Sequence, residues 1–195
     1  FLGRMFEDGQ GVEKDEKAAF KWFSAAAAQG HAAAQDKVGS AFRNGQGVDV
    51  DMKQAYAWYS KSARQAHASA ITHLGECYEH GWGVNADAAK AAELYTSAAK
   101  AGHLDAQYRL GLCYEKGIGV AADIEQAENW YRKPAEASYP EAGLALLRLQ
   151  HRHEVLNQCL VHLPVVLTFS LTPRVLLTPA LLVLLSALAH LQSGR

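Results

Sequence analysis

The sequence predicts an all-α fold, an α-α superhelix that forms a right-handed solenoid of stacked two-helix repeats. The main observation is a period of 36 residues, shown by Gly3, Gly39, Gly75 and Gly111 and shared by aspartates and aromatic residues. A second observation is that apolar residues within each period stand four positions apart, as on one face of a helix. Because a pair of short helices cannot bury such a face alone, successive units are expected to stack.

The first helix of each unit is predicted to carry a glycine on its packing face. In the second unit Ala34, Val38 and Phe42 share this face. Gly39 beside them has no side chain and lets a neighbouring helix approach closely. Gly45 follows the last turn, where a residue with positive φ ends a helix at low cost.

The second helix of each unit is predicted to begin after a short loop, with Asp51 as the N-cap in the second unit. Ala55, Tyr59 and Ala63 follow at intervals of four and form its packing face. Glycine closes this helix in two units but not in the others, whose turns are expected to be less favourable. The residues at that position are Gly30, Ala66, Gly102 and Ser138.

A family resemblance is carried by the pattern of the third unit. It is Ala70-x-x-x-Leu74-Gly75-x-x-Tyr78-x-x-Gly81-x-Gly83-Val84-x-x-Asp87, then Lys90-Ala91-x-x-x-Tyr95-x-x-Ala98-Ala99-x-x-Gly102. This pattern resembles the Sel-one-like repeat, a relative of the tetratricopeptide repeat with a longer loop between its helices. The resemblance covers residues 1–150 as about four units and a degenerate cap, and it implies an adaptor or scaffold for other proteins, in signalling or quality control.

The charge balance argues against a nucleic-acid partner. The chain has 19 Lys and Arg against 20 Asp and Glu, a formal net charge of −1, whereas dedicated nucleic-acid binders carry a basic excess. No cofactor or small-molecule substrate is expected either. The four Gly-x-Gly pairs follow helices rather than strands and lack the third glycine of a dinucleotide-binding loop.

The sequence also predicts no enzyme. Ser97-Ala98-Ala99-Lys100 matches the Ser-x-x-Lys of penicillin-recognising enzymes, but their other motifs are missing. Some secreted bacterial relatives are linked to β-lactam binding and carry paired cysteines within each repeat, which leaves a β-lactam-binding enzyme as a less favoured alternative. Cys77 and Cys113 occupy one site in successive units, too far apart for a disulfide. They are expected to be buried thiols, which favours a reducing compartment.

Histidines form two groups. Three of them start successive units, where we expect a structural role at the turn between repeats: His31, His67 and His103. Four potential ligands further along lack a recognised zinc spacing, so no metal site is predicted there. These are His151, His153, Cys159 and His162.

The predicted partner-binding surface consists of first-helix positions that differ between units. By analogy with tetratricopeptide arrays, the first helices line the concave side, and the alternative for any one residue is ordinary solvation. The positions are Asp36, Ser40, Arg43 and Asn44 in the second unit, Thr72, Glu76, Glu79 and His80 in the third, and Tyr108, Leu112, Glu115 and Lys116 in the fourth. Reversing the charges of Glu76 and Glu79 is expected to alter binding with little effect on stability.

The tail, residues 151–195, departs from the repeat pattern. Residues 155–195 contain no Asp, Glu or Lys, and Val175–Leu191 is marginal in length for a membrane span. Three interpretations stay open: a membrane anchor, a segment packed on the solenoid end, or residues outside the normal reading frame. We expect residues 155–195 to be poorly ordered or loosely helical. The leading hypothesis is therefore an adaptor that holds proteins or peptides in its groove, with a membrane-tethered adaptor as the alternative.

Overall fold

The computed structural model describes residues 1–169, with the side chains of residues 153 and 156–169 excepted, and their regular secondary structure is entirely α-helical. The prediction of an all-α solenoid is confirmed. The helices are α1 (Leu2–Asp8), α2 (Glu16–Ala28), α3 (Ala32–Asn44), α4 (Met52–Ala63), α5 (Ala68–His80), α6 (Ala88–Lys100), α7 (Leu104–Lys116), α8 (Ile124–Glu136) and α9 (Pro140–Phe169).

The helices from α1 to α8 form four consecutive pairs. Within a pair the first helix packs on the second, as α3 does on α4, and the second helix then packs on the first helix of the next pair, as α4 does on α5. The helix α5 also contacts both α3 and α7. The first helices of neighbouring repeats therefore lie side by side along one face of this unit, which extends over residues 1–143.

An aspartate starts every second helix, as the sequence predicts. Asp51 has an extended backbone, and its Oδ1 accepts hydrogen bonds from the amides of Lys53 and Gln54 at 2.9 and 3.0 Å. Such a side chain satisfies amides that have no partner inside the helix. The equivalent caps are Asp15, Asp87 and Asp123.

Two glycines are required in the loop between the helices of a repeat. Gly45 ends α3 with a φ of 73°, in the left-handed region that glycine adopts without strain. Gly47 has a φ of 72°, and a Cβ on it would overlap the backbone of Glu16 at the start of α2. The loop of one repeat therefore lies directly against the preceding repeat.

The core of each repeat contains an aromatic ring packed on a helical glycine. Tyr59 and Tyr95 are fully buried. A Cβ on Gly39 would lie 2.7 Å from Cδ1 of Tyr59, and the same contact is made in the other repeats. The predicted close approach of the helices is confirmed, and a ring fills the space that the glycine leaves.

The turns between repeats differ as the sequence predicts. Gly30 and Gly102 have φ values of 91° and 88°, whereas Ala66 and Ser138 have φ values of 57° and 62°. A side chain in this region brings Cβ close to the backbone and costs free energy. The turns after α4 and α8 are therefore strained.

The first part of the tail belongs to α9, which ends at Phe169. Leu144 and Leu147 on this helix are largely exposed. In the portion of the chain that the structure describes, no helix combines the length and the apolar character needed to cross a bilayer. The three interpretations of the tail concern residues 155–195, of which residues 170–195 lie outside the described residues.

Candidate functional site

The candidate site is the surface along which α1, α3, α5 and α7 lie, named here the first-helix face. Asn44, His80 and Lys116 are exposed on it and occupy equivalent positions at the ends of α3, α5 and α7. They form a row with one residue per repeat, and the chemistry of the side chain changes at each step. The other predicted residues are partly or fully buried.

Thr72 differs most from its predicted role. It is fully buried, and its hydroxyl donates to the carbonyl of Ala68 at 2.9 Å. Its oxygen also lies 2.9 Å from Nδ1 of His103 in the next repeat. Burial lowers the pKa of His103, which favours the neutral ring. Because the Thr72 hydroxyl already donates to Ala68, Nδ1 of His103 acts as the donor to the Thr72 oxygen. Thr72 therefore belongs to the contact between repeats and is left out of the surface proposed below.

Glu76 links three repeats. It is only 5% exposed, and its carboxylate forms ion pairs with Arg43 of α3 and Arg109 of α7. Nε of Arg109 donates in turn to Asp105 at 2.9 Å, and the other oxygen of Asp105 accepts the Tyr139 hydroxyl at 2.9 Å. Removing a partner from such a chain leaves charges without compensation. The expectation that Glu76 tolerates charge reversal without loss of stability is therefore corrected.

The acid–base equilibria agree with this arrangement. Burial alone would lower the pKa of Arg109, but the charges of Glu76 and Asp105 outweigh it and the net shift is upward. Burial alone would raise the pKa of Asp105, but the charge and hydrogen bond of Arg109 outweigh it and the net shift is downward. Arg109 and Asp105 are therefore charged at neutral pH.

Tyrosines of the second helices reach through to the first-helix face. Each donates its hydroxyl to a predicted site residue of the same repeat. The contacts are Tyr59 to Ser40 at 3.2 Å, Tyr95 to Glu79 at 2.6 Å and Tyr131 to Glu115 at 2.7 Å. Burial raises the pKa of Tyr59 to about 12, so its ring is a neutral donor. These hydrogen bonds fix the side chains of the face before any partner binds.

Asp36 joins α3 to α5. Its Oδ1 accepts from Nδ1 of His73 at 2.8 Å and its Oδ2 accepts from the Ser69 hydroxyl at 2.9 Å. Burial alone would raise the pKa of Asp36, but His73 and Ser69 outweigh it and the net shift is downward. Because the Ser69 hydroxyl donates its hydrogen bond to the Asp36 carboxylate and not to His73, these three residues differ from a serine activated by a histidine.

Tyr108 and Leu112 give the fourth repeat an apolar part of the face. Both are half-buried. The Tyr108 ring lies 5.7 Å from that of Tyr131 and 5.5 Å from that of Tyr139, centroid to centroid. The fourth repeat therefore adds aromatic contacts to the ion pairs that join α3, α5 and α7.

Sequence reasoning missed the positions equivalent to Lys37, His73 and Arg109. Each lies one residue after a predicted position and bonds to an acid of another repeat, as Lys37 does to Glu7 at 2.8 Å. The acid partner stands 30 residues from Lys37 but 37 residues from His73. Because the pairs share no single spacing, the repeat frame does not display them.

The cysteines and the other candidates for chemistry behave as structural residues. Cys77 and Cys113 are free and buried, which confirms that expectation. Burial raises the pKa of Cys77 to about 12 and that of Cys113 to about 11.

Ser97 and Lys100 are exposed on α6. Within the described residues no three potential metal ligands cluster, and the side chains of residues 153, 159 and 162 lie outside that description.

Four two-helix repeats with a continuous face of first helices define a helical repeat scaffold. The chain belongs to the Sel1 repeat family, whose model matches residues 1–31, 32–67, 68–103 and 104–139. Repeats of this family generally mediate protein–protein interactions and are generally not enzymes. No curated protein matches the chain.

Three of the solved structures that match the chain illustrate the shared fold. A Sel1 repeat protein from Oxalobacter formigenes is 36% identical over 74% of this chain, with a TM-score of 0.64. A protective antigen of uropathogenic Escherichia coli with an SLR fold is 36% identical over 74%, with a TM-score of 0.66. Cysteine rich protein B of Helicobacter pylori is 25% identical over 71%, with a TM-score of 0.54.

The matched shares of these three proteins differ. The chain covers 60% of the Oxalobacter protein, 31% of the antigen and 99% of the Helicobacter protein. The chain thus spans less than two-thirds of the first two.

Proposed function

We propose that this protein is a non-enzymatic scaffold that binds partner proteins or peptides along the first-helix face. The observation that carries the proposal is the row formed by Asn44, His80 and Lys116. The backbone repeats from one unit to the next while the exposed side chain changes. Such a row presents an ordered series of different contacts to an extended partner.

The internal bonding of the face supports the proposal. Arg43, Glu76 and Arg109 hold three first helices together, and tyrosine hydroxyls hold Glu79 and Glu115. A surface fixed before binding loses less conformational entropy when a partner docks. The free energy of binding is therefore expected to come mainly from the partner's contacts with the exposed row and with the edges of the ion pairs.

Photocrosslinking at matched positions tests the proposal. A benzophenone amino acid replaces, one at a time, three exposed residues of the first helices or three equivalent exposed residues of the second helices. The first set is Asn44, His80 and Lys116, and the control set is Ala57, Glu93 and Asn129. Crosslinking is carried out in cells that express the full protein, and the products are identified by mass spectrometry.

The proposal expects one group of proteins to be captured from all three positions of the first set and not from the control set. Their identity then tests the role in signalling or quality control that the family resemblance suggests. Equal capture from both sets, or capture from the second helices alone, would overturn the proposed face.

A further inference from the structure

A cavity of about 310 Å³ opens on the first-helix face beside the first two repeats, and Ser69 and His73 of α5 also line it. Phe20, Phe23 and Ala41 give its wall an apolar part, while most of the other lining residues are polar or charged. Phe20 is held in place by an edge-to-face contact with Phe42, with the ring centroids 5.5 Å apart. The cavity also reaches Asn44, the first residue of the exposed row, and is therefore continuous with the surface proposed to bind partners.

Phe23 on the wall of the cavity lacks a hydroxyl. In the other repeats the equivalent residue is a tyrosine, such as Tyr95, which donates to Glu79 of its own first helix at 2.6 Å. Phe23 cannot make this bond to Glu7, the residue equivalent to Glu79. Glu7 instead pairs with Lys37 at 2.8 Å. No hydroxyl therefore ties the ring of Phe23 to the first helix of its own repeat, as the tyrosine hydroxyl does in the other repeats.

The charged groups around the opening are already paired within the chain. Lys37 pairs with Glu7, Asp36 bonds His73, and Arg43 pairs with Glu76. Lys14 and Glu16 at the rim pair with each other at 3.5 Å and are largely exposed to solvent. A charged ligand group would have to enter without a free counter-charge, at a high desolvation cost. The charge pattern of the opening therefore fits an uncharged group.

The volume and the lining limit the ligand further. Small-molecule pockets usually measure roughly 300–1,000 Å³, so this cavity lies at the lower limit and suits one large side chain. Ring edges and faces on its wall favour an aromatic partner, since aromatic pairs gain free energy beyond the area that they bury. Aromatic side chains also commonly anchor protein interfaces.

We propose that this cavity is an anchor site for one uncharged aromatic side chain of a partner polypeptide. The inference rests on the proposed scaffold function and names the recognition element of that same face. The rest of the partner then follows the row that begins at Asn44.

The first test uses small probes and the full chain. N-acetyl-tryptophanamide is the neutral aromatic probe. The charged probes are N-acetyl-lysinamide and the α-amide of N-acetyl-aspartate, which keeps a free side-chain carboxylate, and binding is followed by NMR chemical shifts. Phe23→Tyr introduces the hydroxyl that the other repeats carry and should weaken binding of the tryptophan probe about tenfold. Phe42→Tyr is the matched control, because Phe42 packs behind Phe20 and does not line the cavity.

The expected result is binding of the tryptophan probe alone, with shifts in α1, α2 and α3, lost in Phe23→Tyr and kept in Phe42→Tyr. A thermal melt of each variant shows that the fold is kept. Equal binding of the three probes, or unchanged binding in Phe23→Tyr, would overturn the anchor site.

A second test separates the anchor site from the scaffold. Photocrosslinking from His80 is repeated in the Phe23→Tyr background, and reduced capture of the same proteins is expected. Undiminished capture from His80 would overturn the anchor site and leave the scaffold standing. Capture from the second helices alone would overturn both.

Discussion

A Cβ atom on Gly75 would lie 2.5 Å from Cε1 of the buried Tyr95 ring. In the third repeat the Tyr95 ring of α6 therefore packs directly on the backbone of α5 at Gly75. The tyrosine is also the residue whose hydroxyl holds Glu79 on the first-helix face. One contact therefore sets both the spacing of the helices and the position of a side chain at the candidate site.

We expect Gly75→Val to lower the free energy of unfolding by about 1–3 kcal/mol, because the added side chain overpacks this contact. Chemical denaturation measures the change. Gly143→Ala is the control, since Gly143 is helical and a Cβ there meets nothing within 4 Å. It should be neutral or slightly stabilising. A wild-type midpoint for Gly75→Val would contradict the packing role of Gly75.

The fold was predictable because its determinants recur. An aspartate equivalent to Asp51 caps the second helix of every repeat, and a glycine equivalent to Gly45 ends every first helix. Each feature is therefore seen four times in one chain. The strained turn at Ala66 was visible as a departure from that frame. Helix caps and turns with positive φ each require a particular residue type at a fixed position. Such a requirement can be recognised in the sequence alone.

The candidate site was only partly predictable. The exposed row of Asn44, His80 and Lys116 follows from the repeat frame. The ion pairs of Glu76 do not, because each joins residues of different repeats and occurs only once. The 36-residue repeat pattern identifies which positions vary between repeats. Whether the side chain at such a position is exposed depends on the residue that it contacts in the neighbouring first helix.

Glu76→Gln should lower the free energy of unfolding by about 1–3 kcal/mol, because it removes the carboxylate shared by two arginines that keep some exposure to solvent. Urea denaturation at low and high salt measures the loss. Glu93→Gln on the exposed side of α6 is the matched control and should change little. Equal stability of the two variants would show that Glu76 is an ordinary surface charge.

The stability of the protein should fall in acid partly through Asp36. Its folded pKa is below the ordinary 3.8, so its ionised form stabilises the fold above pH 3.8 and this contribution disappears as pH falls through the folded value. Asp36→Asn should therefore lower the melting temperature at pH 7 and reduce its further loss between pH 5 and the acid limit. Parallel melting curves against pH for both proteins would contradict this role.

The two described thiols should be unreactive in the folded protein. Burial raises the pKa of Cys77 to about 12 and that of Cys113 to about 11, so almost no thiolate is present at pH 8. In a Cys159→Ser background, labelling by a disulfide reagent should be slow without denaturant and fast in urea. Rapid labelling of the folded protein would show that the cysteines are accessible to the reagent and would contradict their burial in the core.

The strained turn after α4 offers a stabilising substitution. Ala66→Gly should raise the free energy of unfolding by about 0.5–1 kcal/mol, because glycine adopts the observed φ of 57° without strain. Gly102→Ala is the reciprocal control at the equivalent turn, where a Cβ meets nothing within 4 Å and only the backbone is tested. It should destabilise by a similar amount. Changes of the same sign in both variants would contradict the interpretation.

Hydrogen–deuterium exchange on the complex with the protein most strongly crosslinked through His80 tests the scaffold function most directly. Binding along the first-helix face should slow exchange in α3, α5 and α7 and leave α4 and α6 unchanged. Protection confined to the second helices, or absent from the solenoid altogether, would contradict it.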